Sequence, residues 1–300
     1  MATTLRATHI GAIASRALAP DRSEVVGDVV AAFTNSFYVK TIDRQLLFFN
    51  GRQLKSPITI NLNSSVTIEQ AVRPFDRVTI QGDEVRIGGA TSIQLARAER
   101  AQDLTLSALR FTLNRKSLDL ASLILVVIDN TLSILDPAGL AHAGAVSFIS
   151  QGVSPLRESE DLESFAIAAR PVVGLGGGFT PSGDDLLGGF LATYNSFAES
   201  IGRQIILLDS GYLENSSTWL SAKLLDYMQR RVLDDQVSAL MDTAALGDND
   251  GFLLALEGLL PRGHTSGVDI LVGVILALSI ISDVQSDEYA TASLARRLGL

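Results

Sequence analysis

Through the first third of the chain, apolar positions recur with a period of two. "SFYVKTIDRQLLFFNG" reads as two strands around a polar turn, and "SPITINL" as a strand entered from a proline. "RVTIQGDEVRIGG" alternates on both sides of Gln81-Gly82-Asp83-Glu84, which signals a hairpin. Short strands at this spacing predict a small barrel or curled sheet. At "GGATS", within residues 88–93, the period changes. In "SIQLARAERAQDLTLSALRFTL", residues Ile93, Leu95, Ala96, Leu104, Leu106, Leu109 and Leu113 fall mostly on one helical stripe. "LDLASLILVVIDNTLSIL" reads as a buried helix, with a strand as the alternative because of its β-branched residues. Further helices are predicted over residues 157–170, 182–199, 216–231, 233–245, 250–260 and 267–283. The expected fold class is α+β. A small N-terminal β-rich, barrel-like domain over residues 1–91 precedes a larger, mostly α-helical domain over residues 92–300.

Composition narrows the function classes. The chain has 300 residues and is 47% hydrophobic, enough for a sizeable core. Only 19% of residues are charged, so part of the surface is expected to be covered, as in a homo-oligomer. The net charge is -9 and no basic stripe is present, so nucleic acid is not an expected partner. The absence of cysteine excludes disulfides, thiol catalysis and Cys-based metal sites. "MATTLRATHIGAIASRALAP" has no continuous apolar signal region, and the longest apolar run, "ILVGVILALSII", is short of the ~20 residues a membrane helix needs. A cytoplasmic protein with no membrane partner is the expectation.

Two segments carry the candidate chemistry. "VGLGGGFTPSGDDLLGGFLA", residues 173–192, is dense in glycine and holds adjacent aspartates. "SGDDLLGGFLA" (182–192) aligns without gaps with "SGVDILVGVIL" (266–276), 84 residues later. Ser182 matches Ser266, Gly183 matches Gly267, Asp185 matches Asp269, Leu187 matches Leu271 and Gly189 matches Gly273. The local reading is a capping box at each helix start, with Ser as N-cap and the acid reaching back. Gly189 and Gly273 then permit close helix packing. That reading leaves Gly174, Gly176, Gly177, Gly178, the second acid Asp184 and "RGHTSG" unexplained. Glycines and polar residues at a helix start also describe an anion or amide site.

The first segment is not a phosphate loop of the Walker type, because Asp184 and Asp185 occupy the Lys and Ser/Thr positions. It is not a dinucleotide fingerprint either, because Phe179 stands at the third glycine position. Carboxylates there suit an amide N–H donor, an ammonium or a metal-bound phosphate. His264, between Gly263 and Thr265, is the candidate site histidine; His142 reads as structural and His9 as incidental. No pre-formed zinc site is expected, and no G-x-S-x-G is present.

"GLGGGFTPSGDDLLGGFLA" and "GHTSGVDILVG" resemble the signature segments of the AllH-like family, long described as a domain of unknown function. That family includes a subunit of the oxamate carbamoyltransferase of bacterial allantoin (purine) catabolism. "NSSTWLSAKLLDYMQ" is similar to the family's Thr/Ser-containing helix between the motifs, and Gly177 stands where the family's loop commonly has proline. The resemblance covers residues 173–192 and 215–278 and is loose over the β-rich third. It implies work on a small anionic or carbamoyl ligand within a multi-subunit complex. No cofactor is expected, with Mg²⁺ as the alternative. The catalytic candidates are then Asp184, Asp185 and His264. The substrate-binding candidates are Gly176, Gly177, Gly178, Thr180, Ser182, Gly183, Thr265, Ser266, Gly267 and Asp269. Two other readings stay open. One is a Mg²⁺-dependent hydrolase or phosphotransferase using Asp184, Asp185 and Asp269. The other is a non-catalytic ligand-binding or structural subunit.

Overall fold

The computed structural model describes residues 3–19, 27–52, 54–63, 68–101, 156 and 162–286. The chain divides into two compact units, Met1–Leu106 and Ser107–Leu300. The first holds strands and the second helices, a mixed α+β chain.

The first unit is an eight-stranded barrel. Its strands are β1 (Thr3–Ile10), β2 (Gly27–Phe33), β3 (Ser36–Thr41), β4 (Leu46–Asn50), β5 (Thr59–Asn63), β6 (Arg77–Gln81), β7 (Glu84–Ile87) and β8 (Thr91–Gln94). The hydrogen-bonded order is β5-β4-β3-β2-β6-β7-β8-β1, and β1 closes the ring by pairing antiparallel with β5. A short ninth strand, β9 (Glu99–Arg100), adds to β1. Alternation decides which side chains face in. Phe37, Val39, Leu47, Phe49, Ile60, Leu62, Val78, Ile80, Val85 and Ile87 share one core, with Phe37 stacked on Phe49 at 4.6 Å. Helix α1 (Ala12–Ala17) adds Ala14 and Ala17 to that core, and the single turn α2 (Ile68–Ala71) adds Ile68. The β6–β7 hairpin turns at Gly82-Asp83, where Gly82 takes φ +59.

The helix expected from residue 92 is corrected here. Residues 91–95 are extended, with Thr91, Ile93 and Leu95 buried and Ser92 and Gln94 outside. Ile93 and Leu95, two apart, share a face only in a strand, and the barrel needs β8 to bridge β7 and β1. The remainder of that stripe (Leu104, Leu106, Leu109 and Leu113), the apolar segment that follows it, and His142 lie outside the described residues.

The helical unit contains α3 (Leu162–Ala169), a 3-10 turn (Arg170–Val172), α4 (Ser182–Ser200), α5 (Ser210–Ser216), α6 (Trp219–Gln229), α7 (Asp235–Leu246), α8 (Asn249–Leu259) and α9 (Ser266–Ser286). The helix expected over 216–231 is α6, and the short α5 before it was not expected. α5 ends at Ser216, and Thr218 caps α6 by accepting the Ser221 N–H at 3.1 Å. Asp234 caps α7 in the same manner, and Gly247 ends it in the left-handed region at φ +68.

α4 is buried along nearly its whole length and packs against α9 and α6. Glycine sets the spacing. A Cβ on Gly189 would sit 2.1 Å from the Ile270 carbonyl oxygen, and one on Gly273 2.0 Å from that of Leu186. Between α4 and α5 the chain has no regular structure, yet two alternate residues have both backbone groups paired by side-chain amides. Asn195 accepts the Ile206 N–H and donates to the Ile206 C=O, both at 2.8 Å. Gln229 accepts the Leu208 N–H at 2.8 Å and donates to the Leu208 C=O at 3.2 Å. Among the described residues no helix is long and apolar enough to cross a membrane.

Candidate functional site

The glycine-rich loop runs from the 3-10 turn to α4, and its first half is clasped to the α5–α6 junction. Gly174 takes φ +75, and its N–H donates to Asp184 Oδ1 at 2.7 Å. A Cβ there would lie 2.0 Å from the Ser216 carbonyl oxygen, so only glycine fits. The Ser217 hydroxyl donates to the other Asp184 oxygen. The Thr218 hydroxyl donates to the Phe179 carbonyl at 2.6 Å. Asp184 is therefore buried, 2% exposed, with both oxygens occupied. The three glycines between Leu175 and Phe179 are different. Gly176, Gly177 and Gly178 are exposed, and a Cβ on Gly177 or Gly178 would meet nothing within 4 Å.

The two echoing segments meet at their helix starts. The hydroxyls of Thr180 and Ser266 are 3.0 Å apart. The capping boxes expected from sequence do not form locally at α4. Its N-cap is Pro181, without a side-chain bond, and Ser182 lies inside the first turn. The pairing is instead crossed. The Ser266 hydroxyl of α9, with Thr180, lies beside the Asp185 carboxyl of α4. The Ser182 hydroxyl of α4, with Thr265, lies beside the Asp269 carboxyl of α9. The same Ser and Asp spacing serves either arrangement; burial of both helix starts against one another selects the crossed one. Few first-turn N–H groups of α4 are left for a ligand. That of Gly183 donates to Leu175 O at 2.8 Å, and those of Asp184 and Asp185 to Pro181 O at 3.0 and 3.2 Å. On α9, Gly267 N–H donates to Arg262 O at 3.0 Å.

Both carboxyls are hidden from water, Asp185 being 8% and Asp269 4% exposed. Burial pushes Asp185 up to about 7. The Ser266 hydroxyl, the Arg262 charge and the Thr180 hydroxyl oppose that rise, and the Asp269 charge adds to it. Burial also raises Asp269, against the hydroxyls of Ser182 and Thr265. Each acid keeps one oxygen, Oδ2, buried without a hydrogen-bond partner. Buried polar atoms are normally paired, so these two unpaired oxygens mark the polar centre of the site. Arg262, which the motif reading passed over, pairs with Asp234 and also acts on Asp185. Only its place beside "GHTSG" could have flagged it. His264 is exposed in the turn before α9, where Gly263 takes φ +63. Among the described residues, no three of His, Cys, Asp and Glu are grouped to hold a metal ion, and Asp184 points away from Asp185 and Asp269 to its own partners.

The family model described as oxamate carbamoyltransferase subunit AllH matches residues 172–278, which include the loop, both helix starts and every site residue from Gly174 to Asp269. No curated protein and no solved structure matches the chain.

Proposed function

We propose that the chain is a subunit of a carbamoyltransferase-type enzyme, and that a small carbamoyl or anionic substrate of the oxamate and carbamoyl phosphate class occupies the space between the starts of α4 and α9. The observation that carries this reading is the pair of unpaired, buried carboxyl oxygens of Asp185 and Asp269, inside the span that the family model matches. A carbamoyl group offers amide N–H donors and a carbonyl acceptor, and an acid pair holding a proton offers the reverse. Transfer at the carbamoyl carbon builds negative charge on the carbonyl oxygen and on the departing atom. Asp185, protonated near neutrality, is the proton donor at hand. Asp269 orients the amide. Thr180, Ser182, Thr265 and Ser266 hold the two acids in place. Exposed Gly176–Gly178, in the loop that leads into α4, and exposed His264, in the turn before α9, meet the anionic end of the substrate. Such a site works by positioning and electrostatics rather than through a covalent intermediate.

A subunit name implies partner subunits, so the test has two stages. The purified chain is titrated with carbamoyl phosphate and oxamate while thermal unfolding is followed, and transfer of a labelled carbamoyl group is then assayed. Binding that stabilises the chain and turnover that is lost in Asp185→Asn support the proposal. Binding without turnover makes the chain a ligand-holding subunit whose chemistry lies in a partner. Failure of both ligands to bind overturns it.

A further inference from the structure

We infer that the exposed Phe75 of one copy of the chain docks on the exposed Leu253–Leu254 face of α8 in a second copy, a head-to-tail contact between identical subunits. The contact is independent of what the site binds.

Phe75 sits in the left-handed region, at φ +72, where a side chain this bulky is strained. Its backbone is held there. The Phe75 N–H donates to Val29 O at 2.8 Å and the Asp76 N–H to Arg73 O at 3.1 Å, and the Asp76 carboxyl accepts the Arg73 N–H at 2.8 Å. Glycine or asparagine meets that conformation at lower cost. Burial of a phenyl ring would offset the strain, yet Phe75 is 88% exposed. Within one copy the ring gains little, so its apolar area is left for another surface.

α8 supplies a surface of the matching kind. Phe252, Leu256 and Leu259 face the core, while Leu253 and Leu254 are 40% and 71% exposed. Asp250 and Glu257, both exposed, lie one turn before and after that pair. From residue 232 to 261 the chain carries six acidic residues and no Lys, Arg or His. Around Phe75 the sign is opposite. Arg73 and Arg77 are exposed, and the Asp76 carboxyl is turned back onto the Arg73 N–H, beside Gly88. Arg77 stands opposite Asp28 of β2, which leaves Arg73 as the cation at the tip. An aromatic ring beside arginine fits a leucine pair rimmed by carboxylates. Pairing of α8 with its own copy is disfavoured, because Asp250 and Glu257 would meet their own kind. The contact is therefore heterologous: each copy gives Phe75 to one neighbour and its α8 face to another.

Sedimentation velocity of the full chain tests this. The unsubstituted protein is expected to form species of two copies and more as concentration rises. Phe75→Asn, which suits the left-handed backbone, and Leu254→Arg should each weaken association about tenfold or more. Phe75→Asn should keep the melting temperature of the parent or raise it, which separates loss of docking from loss of fold. Mixing the two variants decides the geometry. Each retains the face that the other lacks, so an equimolar mixture should yield a two-copy species that neither forms alone, and nothing larger. An unsubstituted chain that stays a single copy at every concentration overturns the inference. So do variants that assemble as the parent does, and so does a mixture no larger than its components. If Phe75→Asn does not fold, Phe75→Gly replaces it in every comparison.

Discussion

The hydroxyls of Thr180 and Ser266, 86 residues apart in the chain, lie 3.0 Å from one another. Thr180 enters α4 and Ser266 opens α9, so this contact brings the two echoing segments together. It also puts the Asp185 and Asp269 carboxyls within reach of each other's charge. Four predictions follow the consequences of that meeting and of the loop beside it.

Stability should depend on pH through Asp185. Its carboxyl ionises near 3.8 when unfolded and near 7 in the fold. Between those values the folded protein holds a proton that the unfolded chain has released, so stability falls as pH rises through the window. Above it, burying the charge costs on the order of 4 kcal/mol at most. Asp185→Asn keeps a neutral group at every pH. Its stability relative to the unsubstituted protein should therefore climb between pH 4 and pH 7, measured by urea unfolding at several pH values. A constant difference would show that Asp185 is ionised in the fold throughout.

The α4–α9 contact should not tolerate a methyl group. An alanine Cβ at Gly189 or Gly273 would overlap backbone oxygen at 2.1 and 2.0 Å, and backbone cannot swing aside as a side chain can. Each substitution should destabilise by about 1–3 kcal/mol or more. Gly177→Ala is the control, since its Cβ meets nothing within 4 Å. It should stay within about 0.5 kcal/mol of the parent. A drop in oxamate affinity for Gly177→Ala without loss of stability would put the ligand against the loop.

Asp184 should behave as a structural acid. Asp184→Asn cannot accept from both the Gly174 N–H and the Ser217 hydroxyl, and should cost about 1–3 kcal/mol. Ser217→Ala should couple to it in a double-mutant cycle by roughly 0.5–3 kcal/mol. Additive effects in chemical denaturation would break the clasp proposed between loop and helix.

His264 supplies the opposite case. It is exposed, so His264→Ala should leave the melting temperature nearly unchanged. Carbamoyl transfer should fall by about a hundredfold if the imidazole moves a proton. Undiminished turnover would remove His264 from the chemistry.

Much of this was legible in the sequence, and what was not has particular physical causes. The barrel strands announced themselves by alternation and the Gly82 turn. α4 and α9 were readable because their apolar runs start at Ser-Gly-x-Asp and carry a glycine two turns in. Their contact was hinted at by the echo alone. The crossed bracing was hidden, because a local capping box and a pairing between helices ask for the same residues at the same spacing. The helix read from residue 92 failed at its start because Ile93 and Leu95, two apart, share one face of a strand but lie on opposite sides of a helix. The role of Asp184 depends on Ser217, 33 residues away, which no local pattern marks.

The pairing of Asn195 and Gln229 with Ile206 and Leu208 has a further consequence. Alternate residues of that segment have their N–H and C=O groups met by side-chain amides, as a neighbouring strand would meet them. A true strand neighbour has an outer edge of its own that can recruit another chain. An amide side chain ends at its own nitrogen and oxygen. The segment thus gains the order of a sheet on one side, and no further strand edge is added there.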